Sequence, residues 1–171
     1  MIYPIVRYGQ PVLEKKAETI TEFDTPELHM LVEDMFASMY AAKGVGLAAP
    51  QIGIAKRIAV IDIASGEDPS QKLVLINPEI IGREGAQTGE EGCLSIPTFR
   101  EPVTRSQKVT VRAYNAKGEV WEMTGEDLLA RAFQHETDHL NGTLYISHIS
   151  PLKRDLIRRK IRKLQKANEW G

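Results

Sequence analysis

A chain of 171 residues with 42% hydrophobic and 26% charged side chains is long enough to bury one core and too apolar to stay disordered. Its 22 basic and 23 acidic residues leave a net charge of -1, so no global field calls for DNA or an anionic membrane as partner. Cys93 is the single cysteine, which excludes an internal disulfide. The opening Met1-Ile2-Tyr3-Pro4-Ile5 lacks the basic and apolar blocks of a signal peptide, and charges interrupt every apolar run before it reaches bilayer length. A cytoplasmic protein without a membrane span is expected, built as a single catalytic domain over 1–171.

In chain order, Leu28, Leu31, Val32, Met35, Phe36, Met39 and Tyr40 recur at helical spacing, with Thr25 as N-cap and Pro26 in the first turn. This helix should stop near Gly44. From Gly44 to Gly53 the density of Gly and Pro predicts a shaped loop. Short β-branched runs follow at Arg57 to Ile63, Lys72 to Ile76, Lys108 to Tyr114 and Val120 to Met123, the last two joined by a turn from Asn115 to Gly118. Thr124-Gly125-Glu126-Asp127 resembles a capping box opening a second helix, which carries Leu128, Leu129, Ala132 and Phe133 and ends around Asn141-Gly142. After Ser150-Pro151 a third helix, about 151–168, places Leu152, Leu156, Ile157, Ile161 and Leu164 on one face. Strands first and a central helix afterwards predict an α+β fold: antiparallel sheets packed around the second helix, flanked by N-terminal and C-terminal helices.

Chemistry concentrates on that second helix. His135-Glu136-Thr137-Asp138-His139 sets two imidazoles at i and i+4, on one face, where they can share a metal. Glu136, beside the first imidazole, can reach a bound water without entering the coordination sphere. A catalytic metal needs a third protein ligand and an open position. The protease extension to a third histidine fails because Tyr145 occupies that place, and Glu169, the only later glutamate, follows a basic helix near the chain end. Cys93 in Glu91-Gly92-Cys93-Leu94-Ser95 remains, where glycine allows close backbone approach and a metal would hold the sulfur as thiolate. A structural zinc site would need a fourth ligand, so three ligands favour catalysis over a metal-stabilised RNA-binding module. A zinc endopeptidase would use the same helix but lacks its usual third ligand. The Gly44-x-Gly46-x-x-Ala49 spacing also fits a loose dinucleotide fingerprint, but it follows a helix instead of a strand and runs into Pro50.

Three segments, Gly44-Val45-Gly46-Leu47-Ala48-Ala49-Pro50-Gln51, Glu91-Gly92-Cys93-Leu94-Ser95 and His135-Glu136-Thr137-Asp138-His139, match in order the signature motifs of peptide deformylases, and the chain resembles that family. The resemblance implies hydrolysis of the N-formyl group from the formyl-methionine of nascent polypeptides, with release of formate. It implies one divalent metal held by Cys93, His135 and His139, with Fe(II) native and Zn(II), Ni(II) or Co(II) as other occupants. It assigns acid–base catalysis to Glu136 and an oxyanion site to the Gln51 side chain and the Leu94 backbone N–H. The methionine side chain is expected near Val45, Gly46, Leu128 and Ala132, with backbone contacts from Gly46 and Gly92. The stem of Arg131 is expected to line that pocket while its head stays in water. Arg100 is expected either beside the peptide backbone or solvated. His29 and His148 are expected at the solvated surface. Finally, Lys153, Arg154, Arg158, Arg159, Lys160, Arg162, Lys163 and Lys166 make the third helix strongly positive, which predicts either a solvated face or a ribosomal RNA contact.

Overall fold

The computed structural model describes residues 1–171. Helix α1 spans Pro26–Ala41, and the Thr25 hydroxyl accepts the Leu28 N–H at 3.1 Å, satisfying one of the orphan donors of the first turn. Helix α2 spans Asp127–Leu140. It ends in a complete Schellman motif: Gly142, at φ +80, donates to the carbonyl of His139 and Thr143 to that of Asp138. Helix α3 spans Pro151–Lys166, capped by Ser150, whose hydroxyl accepts the Lys153 N–H at 3.2 Å.

The α2 entry differs from the expected capping box. Thr124 and Gly125 still belong to the strand Val120–Glu126, and Thr124 Oγ1 pairs with Thr110 Oγ1 at 2.7 Å across the ladder. Strand pairing outlasts the local capping signal, and Glu126 becomes the N-cap without a side-chain cap bond.

A five-stranded antiparallel sheet runs in the order β1 (Gly46–Ala48), β2 (Ile58–Ile61), β3 (Leu73–Glu84), β6 (Lys108–Tyr114), β7 (Val120–Glu126). β4 (Gln87–Cys93) and β5 (Ile96–Arg105) form a separate two-stranded hairpin. The expected loop from Gly44 thus contains an edge strand, since Gly46 pairs with Ile61, followed by a 3-10 turn over Ala49–Ile52. No α-helix opens after these glycines, and the dinucleotide reading fails.

Each face of the large sheet buries a helix. Met35, Met39 and Leu28 of α1 pack with Leu47, Ile58, Val60 and Ile76 on one side. Phe133, Ala130 and Leu140 of α2 pack with Ala59, Ile61, Leu75, Val109 and Val111 on the other. A third cluster joins Ile157 and Ile161 of α3 to Ile96 and Val103 of the hairpin, with Leu13, Tyr145 and Trp170. α2 is therefore enclosed by the sheet on one side and the hairpin on the other, and even its polar Gln134, Glu136, Thr137 and His139 are buried. This is the α+β arrangement that the strand and helix order predicts. No helix is long and apolar enough to cross a membrane.

Candidate metal centre and active site

Two different elements supply the candidate ligands. Cys93 ends β4, while His135 and His139 lie one turn apart on α2. The Cys93 Sγ stands 3.3 Å from His139 Nε2, which is 3.1 Å from His135 Nε2, and the three ligand atoms lie within 4.8 Å of one another. With metal–sulfur and metal–nitrogen bonds of about 2.3 and 2.0–2.1 Å, a tetrahedral ion needs its ligand atoms roughly 3.3–3.6 Å apart. The spacing fits. The tautomer suits a metal: His135 Nδ1 faces Glu91 Oε2 at 2.9 Å, and because a carboxylate only accepts, Nδ1 carries a proton, so that in the neutral ring Nε2 would keep its lone pair for the ion.

The electrostatics favour a cation here. Burial pushes the Cys93 thiol up, but the imidazoles of His139 and His135 outweigh it and bring the pKa down to about 5. Burial lowers His135, yet Cys93, Glu136 and Glu91 raise it well above the ordinary imidazole value. The cluster prefers a thiolate beside positive charge, which a divalent ion supplies while leaving both imidazoles neutral. For Glu136, burial pushes the carboxyl up and the neighbouring imidazoles pull it down, with a net rise. Its Oε1 has no hydrogen-bond partner.

β1 makes room for that carboxylate. A Cβ built on Gly46 would stand 2.9 Å from Glu136 Cδ and closer still to Oε2, so only glycine lets the edge strand pass over the carboxylate. Gln51, in the 3-10 turn after β1, is 1% exposed. Its Oε1 accepts the Ala48 N–H at 3.0 Å, which fixes the amide orientation and directs Nε2 toward Ser95 Oγ at 3.2 Å and Cys93 Sγ at 3.5 Å.

A cavity of about 520 Å³ opens over these groups. Its lining brings together Val45, Gly46, Gln51, Gly92, Cys93, Leu94, Leu128, Ala132, His135 and Glu136. His139 lies beneath, 1% exposed, and does not line it. Leu128 sits at the rim, 48% exposed, outside the apolar core. Arg100 is exposed but also lines this cavity, with its Nε 3.7 Å from Glu90 Oε2.

Arg131 departs from expectation. Its head is buried, with Nη1 donating to Glu91 Oε1 at 2.8 Å and Nη2 to the Val103 carbonyl at 3.1 Å. The expected wet head would have left Glu91 short of a partner inside the protein. His148 and His29 are both exposed, as expected, each beside a carboxylate: His148 Nε2 is 2.9 Å from Asp138 Oδ2 and His29 Nε2 is 2.7 Å from Asp24 Oδ1.

The residues that motif reasoning passed over form a buried polar seam between hairpin and helix. Arg105 meets Glu91 through Nε at 3.1 Å and Nη2 at 2.6 Å, and reaches Asp138 through Nη1 at 2.6 Å. Burial raises the Glu91 carboxyl, but His135 and Arg105 hold it well below the usual carboxylate range. The buried Glu91, the half-buried Asp138 and two buried guanidiniums thus compensate each other. The available signal was strand alternation: with Gln87, Gly89 and Glu91 facing inward, Glu90 points out and Glu91 in.

A Cys-His-His cluster that could hold a metal, with an unpaired buried carboxylate beside it at the base of a cleft, is the arrangement that a metal-dependent hydrolase needs. Residues 2–155 match the family model for polypeptide deformylase. A peptide deformylase of Acidobacterium capsulatum is 64% identical over 170 residues, covering 99% of this chain and 99% of that protein. The crystal structure of a peptide deformylase from Legionella pneumophila superposes with a TM-score of 0.90 at 45% identity, covering 98% of each chain. A class I type b peptide deformylase from Acinetobacter baumannii, solved with Met-Ala-Ser bound, has a TM-score of 0.81 at 34% identity over 87% of this chain and 99% of that one. The chain belongs to the polypeptide deformylase family, metal-dependent hydrolases that remove the N-formyl group from nascent polypeptides.

Proposed function

We propose that Cys93, His135 and His139 hold one divalent metal, that Glu136 is the acid–base catalyst, and that Gln51 Nε2 and the Leu94 backbone N–H receive the oxyanion. The observation that carries this reading is Glu136, a carboxylate 4% exposed whose Oε1 lacks a hydrogen-bond partner, beside three convergent ligand atoms at the base of a cleft. Burying such a group without a partner costs stability, which function explains and packing does not. When bound, the metal would acidify water and polarise the formyl oxygen. Glu136 accepts the proton of the water that attacks the formyl carbon. Gln51 Nε2, held by the Ala48 N–H on its other end, donates to the oxygen as it becomes negative. Glu136 then passes the proton to the departing amine nitrogen as the C–N bond breaks, leaving formate and a free amino terminus.

Val45, Leu128 and Ala132 supply apolar walls for the methionine side chain, and Gly46 and Gly92 leave backbone accessible to the peptide. The Met-Ala-Ser bound to the Acinetobacter baumannii relative has the form of such a deformylated product. Fe(II) is the native ion in this reading, with Zn(II), Ni(II) or Co(II) also accommodated by a His2Cys set. An iron–thiolate centre should lose activity in air.

The α3 surface supports a contact with ribosomal RNA in the cytoplasm, where nascent chains emerge: Arg159, Lys160, Arg162, Lys163 and Lys166 are all exposed. Because Ile157 and Ile161 of α3 are core residues, truncation would unfold this region, and charge reversal at Arg159, Lys160 and Lys163 is the proper test. Salt-sensitive cosedimentation with ribosomes should weaken in that variant.

Formate release from a formyl-Met peptide by anaerobically purified protein tests the catalytic assignment. Wild type should release formate, Glu136→Ala should retain metal and release almost none, and the unformylated peptide should be inert. A metal-loaded Glu136→Ala with near-wild-type turnover would remove Glu136 from the mechanism.

A further inference from the structure

We propose that Arg131 is a positioning residue for the metal centre, acting on His135 through Glu91, and not a contact for the substrate whose cavity it borders. The proposal rests on the reading of Cys93, His135 and His139 as ligands.

Arg131 and His135 are four residues apart on α2, on the face turned to the hairpin. A single carboxylate spans that turn: Glu91 Oε1 takes Arg131 Nη1 at 2.8 Å and Glu91 Oε2 takes His135 Nδ1 at 2.9 Å. Arg105 closes the carboxylate from the other side. The Arg131 head also reaches the other strand, donating to the Val103 carbonyl at 3.1 Å, and touches Gln87 Oε1 at 3.4 Å. All its acceptors therefore lie on β4 and β5.

This matters because the hairpin pairs with no strand of the large sheet, yet it carries Cys93 while α2 carries both histidines. The relative placement of sulfur and imidazoles depends on side chains that cross between the two elements. Arg131 crosses to both strands at once, one helical turn from a ligand. A guanidinium suits this task, since its planar donors serve a carboxylate and a carbonyl together, which a lysine ammonium does less well. With its donors so occupied and its side chain 10% exposed, little remains to offer a peptide in the cavity.

The test uses Arg131→Met, which keeps an unbranched side chain, and Arg131→Lys, with circular dichroism as the folding check. Cobalt is loaded anaerobically, and three quantities are read: the rate of Co(II) loss to a chelator, the Co(II) d–d absorption, and kcat and KM for a formyl-Met peptide. Arg131→Met should release Co(II) on the order of 10–100-fold faster and shift the d–d band, with KM within about twofold of wild type. Arg131→Lys should fall between the two, and it carries the test alone if the methionine variant does not fold. Unchanged metal retention and spectrum would overturn the proposal, with a raised KM reassigning Arg131 to the substrate and an unchanged KM making it a packing residue. A wild-type protein that takes up no Co(II) would instead overturn the ligand set beneath it.

Discussion

Replacing Gly46 by alanine should disable catalysis while leaving the protein folded. The new Cβ would stand 2.9 Å from Glu136 Cδ, where ordinary contact begins at 3.4 Å, and nearer still to Oε2. The carboxylate, enclosed by α2 and its neighbours, must therefore shift by on the order of 0.5–1 Å, and a misplacement of that size costs about 100-fold in rate. That corresponds to about 2.7 kcal/mol of transition-state stabilisation. The Gly46 backbone lies in a strand at ordinary φ, so alanine brings overpacking but no conformational strain, and stability should fall by only about 1–3 kcal/mol. The assay is anaerobic formate release per bound metal ion, with the thermal midpoint measured in parallel. The expected result is a kcat reduced about 100-fold with metal content retained. A kcat within threefold of wild type would refute the claim that β1 and Glu136 are fitted to one another.

Gln51→Ala should lower kcat roughly 100–1,000-fold as a lost oxyanion donor, with KM little changed; steady-state kinetics showing the loss in KM alone would contradict the role. The same variant leaves the buried Ala48 N–H without its acceptor and should cost about 1–3 kcal/mol in denaturant unfolding. Chelation should abolish formate release but preserve the far-ultraviolet circular dichroism spectrum, because the Arg131–Glu91 and Arg105–Asp138 pairs bind hairpin to helix without the metal; unfolding on chelation would show that the ion holds the two together. Asp62 is fully buried, and although burial raises its carboxyl, bonds from Tyr40 Oη and the Ala64 and Gly66 N–H groups bring it below its ordinary value. A depressed folded pKa stabilises above the unfolded value of about 3.9 and ceases to do so as pH falls through the lowered one. The stability gap between wild type and Asp62→Asn should thus be widest near neutrality and shrink below about pH 4; a gap constant with pH would contradict it.

The helices were legible because their signals are local. Thr25 and Ser150 cap where a hydroxyl before a proline is expected to cap, and Gly142 stops α2 with the one residue type suited to φ +80. The HExxH spacing needs only helical periodicity to bring two imidazoles together. Harder to see was the hairpin β4–β5: Gln87-Thr88-Gly89-Glu90-Glu91-Gly92 has little strand propensity, and its alternation is carried by glutamates and glycines, not apolar residues. With the hairpin unseen, nothing separated buried Glu91 from exposed Glu90, and the partners of Arg105 and Arg131 had no place. Long-range pairing also explains why β3 continues to Glu84 instead of stopping at Ile76, since β6 pairs with its second half through register shifts.

The ligand set itself is tested most directly by X-ray absorption at the metal edge of anaerobically prepared protein. Ligation by Cys93, His135 and His139 requires one sulfur scatterer at about 2.3 Å and two imidazole nitrogens at about 2.0–2.1 Å, with the sulfur lost in Cys93→Ala. A wild-type spectrum without sulfur, or one unchanged by that substitution, would contradict the centre described above.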